Sequence, residues 1–206
     1  MKQHSIVFII CWQGEYPWYF PYFLHSCCYN PDIDFLIFTS NSSENLDLPA
    51  NVSIIPYSIE QFKKDAAKVL GFEVIVESGY KLCDFKPAYG LIFSNYIEKY
   101  DFWGYCDVDV IFGNIRVFMT EELLNEYDII SARHDYLTGC FALYRNNPYM
   151  RELFKQSKDY KKVFTEPHNF FFDKANSGLK AFEKGLHYSQ IKTEVESMTH
   201  VVRRLE

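Results

Sequence analysis

The stretch 80-YKLCDFKPAYGLIFSNYIEKYDFWGYCDVDVIFGN-114 decides how the chain is read. It opens on a polar hook, Asp84 and Lys86, and enters an amphipathic segment that predicts a helix reaching about Tyr100. An aromatic strand follows, Phe102 to Cys106, and ends on two carboxylates, Asp107 and Asp109, with Gly113 beyond. In an open α/β sheet, ligands bind just past the carboxyl ends of strands. Oxygen ligands two residues apart on an extended turn suit a hard divalent cation that fills its other positions with water or phosphate oxygens.

Twelve aspartates in 206 residues make chance Asp-x-Asp pairs common, so context has to decide. Asp32-Ile33-Asp34 serves as an internal control. It follows the turn signal Asn30-Pro31 and leads into a strand rather than out of one, which predicts a solvated turn. Asp107 and Asp109 have the opposite context.

Outward from this block the chain alternates strands and helices. Ser5 to Cys11 (SIVFIIC) is a continuous apolar run, as in a strand buried on both faces. Gln13-Gly14 turns the chain, and a helix is expected over 17–28 with Pro17 near its start. Strands follow at 34–39 and 52–55, then a helix to about Leu70 opened by the capping box Ser58-x-x-Gln61. Beyond the doublet, Thr120 caps a short acidic helix. Strands are predicted at 128–132 and 139–144, and a helix at 149–155 after Asn146-Asn147-Pro148. This order predicts one domain over 1–206: an α/β, Rossmann-like, mixed and mostly parallel sheet flanked by helices. The abrupt close VVRRLE is what a cloning scar at Leu205-Glu206, with a truncated native C-terminal portion, would leave.

Composition removes several function classes. A net charge of −6 without a basic run argues against nucleic acid as a partner. Lys155, Lys158, Lys161 and Lys162 read as a solvated helix face, the alternative being contact with an anionic membrane or acceptor. Six cysteines lack CxxC or zinc spacing, and three sit in apolar runs, which fits a reducing, cytoplasmic setting. No apolar run approaches the ~20 residues that span a bilayer, so membrane contact is at most peripheral, on the inner face. There is no G-x-S-x-G, Walker A or G-x-G-x-x-G sequence.

The central block resembles the metal-binding core of the GT-A glycosyltransferases. The chain is more closely similar to an uncharacterised bacterial family of presumed polysaccharide-synthesis glycosyltransferases. The segments that carry the likeness are IVFIICWQGEYPWYFPYFLHSCCYNP, KLCDFKPAYG, FWGYCDVDVIFGNI and TGCFALYRNNP, within roughly residues 5–175. The chain departs from that pattern at Thr39-Ser40-Asn41 and at Lys174, where acidic residues are usual.

The resemblance implies a GT-A-like fold and transfer of a sugar from a nucleotide-sugar donor, UDP favoured, to a hydroxyl of a glycan or glycolipid acceptor, with Mn2+ or Mg2+. It implies that Asp109 ligates the metal and Asp107 the metal or ribose, with His187 as a late third ligand. Gln13, Gly14, Asp84, Lys86, Gly139 and Cys140 would contact the donor; Asp135, Glu166 and Asp173 are the carboxylates available as a base, with Asp135 and Asp173 favoured. Asp84 reads equally as a plain helix N-cap, and Gly139 as a turn before a strand. The alternative function is a non-catalytic domain of the same fold that binds nucleotide or glycan, or scaffolds a complex.

Overall fold

A computed structural model describes residues 3–206 of the protein. Six strands form one sheet: β1 (Ile6–Trp12), β2 (Ile33–Thr39), β3 (Val52–Pro56), β4 (Phe102–Cys106), β5 (Ile129–Ser131) and β6 (Phe141–Arg145). Their spatial order is β3-β2-β1-β4-β6-β5. β1, β2, β3 and β4 run parallel, whereas β6 runs antiparallel to both of its neighbours. The expected mixed, mostly parallel α/β sheet is therefore present.

The apolar runs of the strands follow from burial on both faces. Val7 and Ile9 of β1 face one core; Ile6, Phe8 and Ile10 face the other. The second core is closed by α1 (Phe20–Cys27), through Phe20, Phe23 and Leu24, and by Leu124 of α5 (Glu121–Glu126). The first is closed by α2 (Ile59–Leu70), through Phe62 and Ala66, and by aromatic residues of the C-terminal third. Ser58 and Thr120 cap α2 and α5 as their spacing predicts.

The predicted helix over 84–100 is corrected. A 3₁₀ segment, Gly79–Ala88, gives way to two single turns, α3 (Tyr89–Ile92) and α4 (Ser94–Ile97), broken at Phe93. Phe85, Tyr89, Ile92, Phe93 and Ile97 are all buried, and Gly90 lies against the Trp103 indole, where any Cβ would collide. Packing against the sheet overrides local helical preference here. The helix expected at 149–155 splits likewise into α6 (Pro148–Arg151) and a 3₁₀ turn, Leu153–Gln156. The remainder adds α7 (Tyr160–Thr165), α8 (Leu179–Glu183) and α9 (Met198–Leu205).

Asp32 lies exposed in the turn that leads into β2, as expected, while Asp34 falls within β2, and both carboxylates are engaged. Asp32 accepts from Arg116 Nε at 2.9 Å, and Asp34 from the Tyr100 hydroxyl. Among the described residues no helix is long and apolar enough to cross a membrane.

Chain direction places the one switch point of the sheet. From β1 the chain steps outward to β2 and β3, then returns across the sheet to set β4 on the other side of β1. The connections on either side of that junction run over opposite faces, α1 on one and α2 to α4 on the other. A crevice therefore opens beyond the carboxyl ends of β1 and β4.

Gly104, in the middle of β4, tests the packing of this junction. A Cβ there would strike the Ala142 carbonyl oxygen on β6 and approach Leu143 Cδ2 to 2.7 Å. Gly104→Ala should cost about 1–3 kcal/mol in urea unfolding. Gly113→Ala, where nothing lies within 4 Å, should change stability by less than about 0.5 kcal/mol.

Candidate functional site

A cavity of about 310 Å³ occupies the β1/β4 crevice. Cys11, Trp12 and Gln13 line it from the end of β1; Cys106, Asp107, Val108 and Asp109 line it from the end of β4. The 3₁₀ segment supplies Gly79, Tyr80, Leu82, Cys83 and Lys86. Here the two carboxylates and Lys86, distant in sequence, meet in one place.

The two carboxylates are not equivalent. Asp109 is exposed and has no hydrogen bond or ion pair among the described residues. Asp107 is half-buried, and its Oδ1 accepts a hydrogen bond from Lys86 Nζ. The Asp107 N–H donates to Cys140 O at 3.2 Å, which ties the doublet to the start of β6. Lys86 is buried; its Nζ also donates to Gly139 O at 2.7 Å and lies 3.8 Å from Asp173 Oδ2. Burial favours the neutral amine, but Asp173 and Asp107 outweigh it and hold the pKa above the ordinary lysine value.

Asp173 is almost fully buried, and its Oδ1 has no hydrogen-bond partner. Burial pushes its carboxyl up to about 6; Lys86 and Lys174 pull against that rise, and Asp84 and Asp107 add to it. Gly139 makes room for it, since any Cβ at 139 would overlap Asp173 Oδ2.

Asp84 is corrected from both of its expected roles, because it neither caps a helix nor lines the cavity. It is fully buried and accepts from Lys81 Nζ at 2.9 Å, Phe170 N–H at 2.8 Å and Phe172 N–H at 2.9 Å. Lys81 completes its own set with Val163 O and His168 O, both at 2.7 Å. This pair joins the 3₁₀ segment to residues 163–172.

The other expected donor contacts also make bonds within the chain. Gln13 lines the cavity, but its amide links Tyr57 O at 2.8 Å to Ser40 Oγ at 3.0 Å. Gly14 takes a positive φ of 99° in the turn after β1, and its carbonyl accepts from Trp12 and Asn41. Gly139 and Cys140 act through their carbonyls, on Lys86 and on the Asp107 N–H, and neither lines the cavity.

His187 and Asp135 lie together in a different recess, beside His134 and Arg203. His187 Nδ1 engages Ser189, so the third-ligand expectation does not fit this arrangement. Asp135 forms a two-pronged ion pair with Arg133, at 2.7 and 2.6 Å, which holds its carboxyl down to about 2, a poor setting for a base. Asp173 is also out of the cavity, behind Gly139. Among the described residues no group of three or more His, Cys, Asp or Glu side chains is placed to hold a metal. Lys155 and Lys162 pair with Glu152 and Glu194, as on a solvated face.

A model described as a family of unknown function, DUF6625, matches residues 8–203. The chain belongs to DUF6625. The matched span includes every element of the crevice, so the site lies within the DUF6625 region. No curated protein and no solved structure matches the chain.

Sequence reasoning missed the cavity's walls: Trp12, Tyr19, Tyr80 and Cys83. Trp12 ends β1, one residue past the apolar run Ser5 to Cys11, and Gly79 lies against Gln13, whose O is 3.0 Å from a Cβ built there. Burial pushes the Cys83 thiol up to about 11 and the Cys11 thiol higher still, so neither is a thiolate nucleophile near neutral pH. A second, open recess shares Tyr19 and Asp109 with the cavity and exposes Trp18, Tyr22, His25 and Tyr29.

The anchoring role of Asp84 has a direct test. Lys81→Met leaves a buried carboxylate without its counter-charge and should cost about 3–5 kcal/mol in urea unfolding. A loss under about 1 kcal/mol would show that the pair does not hold the segment.

Proposed function

We propose that this DUF6625 protein is a GT-A-like, divalent-cation-dependent glycosyltransferase that moves a sugar from a nucleotide-sugar donor, UDP favoured, to a hydroxyl of a glycan or glycolipid. One observation carries the reading: Asp107, Asp109 and the Lys86 ammonium converge at the β1/β4 switch-point crevice. Two carboxylates fit a hard cation of the Mg2+ or Mn2+ kind, which keeps waters and takes substrate phosphate oxygens instead of a full protein cage. When bound, such a cation neutralises charge on a departing nucleoside diphosphate.

The chain's own groups do the rest. Asp109 offers an unencumbered carboxylate. Lys86 holds a permanent positive charge at the crevice wall, suited to a phosphate oxygen. Trp12, Tyr19 and Tyr80 give flat apolar surface for a base or sugar ring. The aromatic recess of Trp18 and Tyr22 adjoins Asp109 and gives an acceptor a way to reach the same centre. Orientation of two substrates in one crevice is a large source of rate by itself.

A second reading, a domain that binds nucleotide or glycan without transfer, is favoured by one fact: neither Asp135 nor Asp173 faces the cavity. The scaffold would bind UDP-sugar without hydrolysing or transferring it; the enzyme would release UDP slowly even without acceptor.

UDP with Mn2+ should raise the melting temperature, by as much as roughly 2.7 kcal/mol of added stability at a hundredfold excess over Kd. Chelator should remove most of that gain, and no shift with UDP or GDP would defeat the reading. Asp109→Asn should abolish the Mn2+-dependent part of the shift while leaving the unliganded melting temperature within about 2 °C, since the side chain is exposed and unpartnered. Lys86→Gln should weaken Mn2+–UDP binding about tenfold or more in calorimetry, the worth of a charge-assisted hydrogen bond.

A further inference from the structure

We infer that Asp173 is a second seat for the Lys86 ammonium, which moves to it from Asp107 when a divalent cation takes Asp107. The inference rests on the proposed cation–nucleotide reading of the cavity and assigns Asp173 as a positioning residue.

In the unliganded protein Lys86 Nζ spends two protons, on Asp107 Oδ1 and on Gly139 O at 2.7 Å. Asp107 is thus already partly neutralised by the chain itself. A cation arriving at Asp107 meets an ammonium already on the same carboxylate, and two positive charges there repel in a partly buried site. Either the cation stays away or Lys86 gives up its bond.

The site contains an acceptor for that move. Asp173 Oδ2 lies 3.8 Å from Nζ, and roughly 1 Å of motion brings it to ordinary hydrogen-bond distance. Asp173 Oδ1 is buried with no hydrogen-bond partner at all. Buried carboxylate oxygens are nearly always satisfied, and an exception calls for an explanation. The carboxyl is thus short of donors in the unliganded protein, and the Lys86 ammonium, nearest to its Oδ2, is a charged donor placed to supply one.

Gly139 keeps the path open. Its carbonyl accepts from Lys86, and the absence of a side chain leaves Asp173 Oδ2 in van der Waals reach of its Cα. The Gly139 bond can therefore act as a pivot while Nζ exchanges one carboxylate for the other. The Tyr105 ring, 5.7 Å from Nζ, walls the same space. After the exchange Asp107 is free for the cation, and Lys86 remains charged at the crevice wall.

The test is Mn2+ binding without nucleotide, followed by the electron paramagnetic resonance of free Mn2+ up to millimolar concentrations. Parent, Lys86→Gln, Asp173→Asn and the double variant are compared, each first checked for cooperative melting. Asp173→Asn should weaken Mn2+ binding about tenfold, because Lys86 then has nowhere else to go. Lys86→Gln should tighten it at least threefold, the opposite of its effect on Mn2+–UDP. In the Lys86→Gln background the Asp173→Asn effect should fall below twofold, whereas a merely structural Asp173 would weaken both backgrounds equally.

An unchanged affinity in Asp173→Asn, or an equal loss in both backgrounds, overturns the inference. If Asp173→Asn does not fold, Lys86→Gln decides alone: unchanged or weaker Mn2+ binding overturns it. A parent that binds neither Mn2+ nor UDP overturns the underlying reading as well. A parent that binds both, with no coupling between positions 86 and 173, overturns this inference only.

Discussion

The buried ion pair between Lys81 and Asp84 is the constraint on which the rest of the crevice depends. Moving two charges out of water costs several kcal/mol per ion unless every polar atom finds a partner. Here they do. The three protons of Lys81 go to Asp84, Val163 O and His168 O, and Asp84 accepts from Lys81, Phe170 and Phe172. Because the network closes only in one arrangement, it fixes residues 163–172 against the 3₁₀ segment. Phe171, between the two N–H groups that Asp84 accepts from, has a left-handed φ of 54°. Asp173 follows immediately and is delivered behind Gly139, beside Lys86.

Two lysine–aspartate clusters therefore stand five residues apart in sequence with opposite characters. Lys81–Asp84 is complete, enclosed and without slack. Lys86–Asp107–Asp173 is open at one end, since Asp107 is half-exposed and Asp173 Oδ1 lacks a partner. Satisfied polar networks rigidify; incomplete ones are high-energy and poised to change. The first cluster is rigid so that the second can be placed accurately.

This contrast explains what could be read in the sequence. The strands were legible nearly to the residue: β4 runs Phe102–Cys106 as expected, because continuous apolar runs register burial on both faces. The caps at Ser58 and Thr120 were legible because a side-chain oxygen three residues before an N–H is a local event. Asp84 was misread because aspartate before Lys-Pro has the same local signature whether it caps a helix or meets a lysine three residues upstream. Only the long-range partners, Phe170 and Phe172, distinguish the two. Asp135 has a similar explanation: Arg133 is visible two residues away, but not that it closes on Asp135 as a two-pronged partner. Trp12 and Tyr19 were missed because a wall is defined by topology. β1 had to be known as the strand at the switch point before its end could be read as a site.

On the proposed reading, the charge pattern of the crevice also determines the order in which ligands favour one another. A diphosphate alone enters a space containing Asp109 unpaired and Asp107 only partly neutralised, so repulsion opposes it. A cation alone must displace the Lys86 ammonium from Asp107. The two together would remove both objections: Asp107 and Asp109 would hold the cation, whose charge would offset that of the phosphates, and Lys86 would face a phosphate oxygen. Linkage then requires each ligand to raise the affinity of the other by the same factor. Cooperation of that kind needs no large domain movement. It needs a lysine whose first partner can be taken and whose second partner is already in place, which is what the neighbourhood of Lys86 provides.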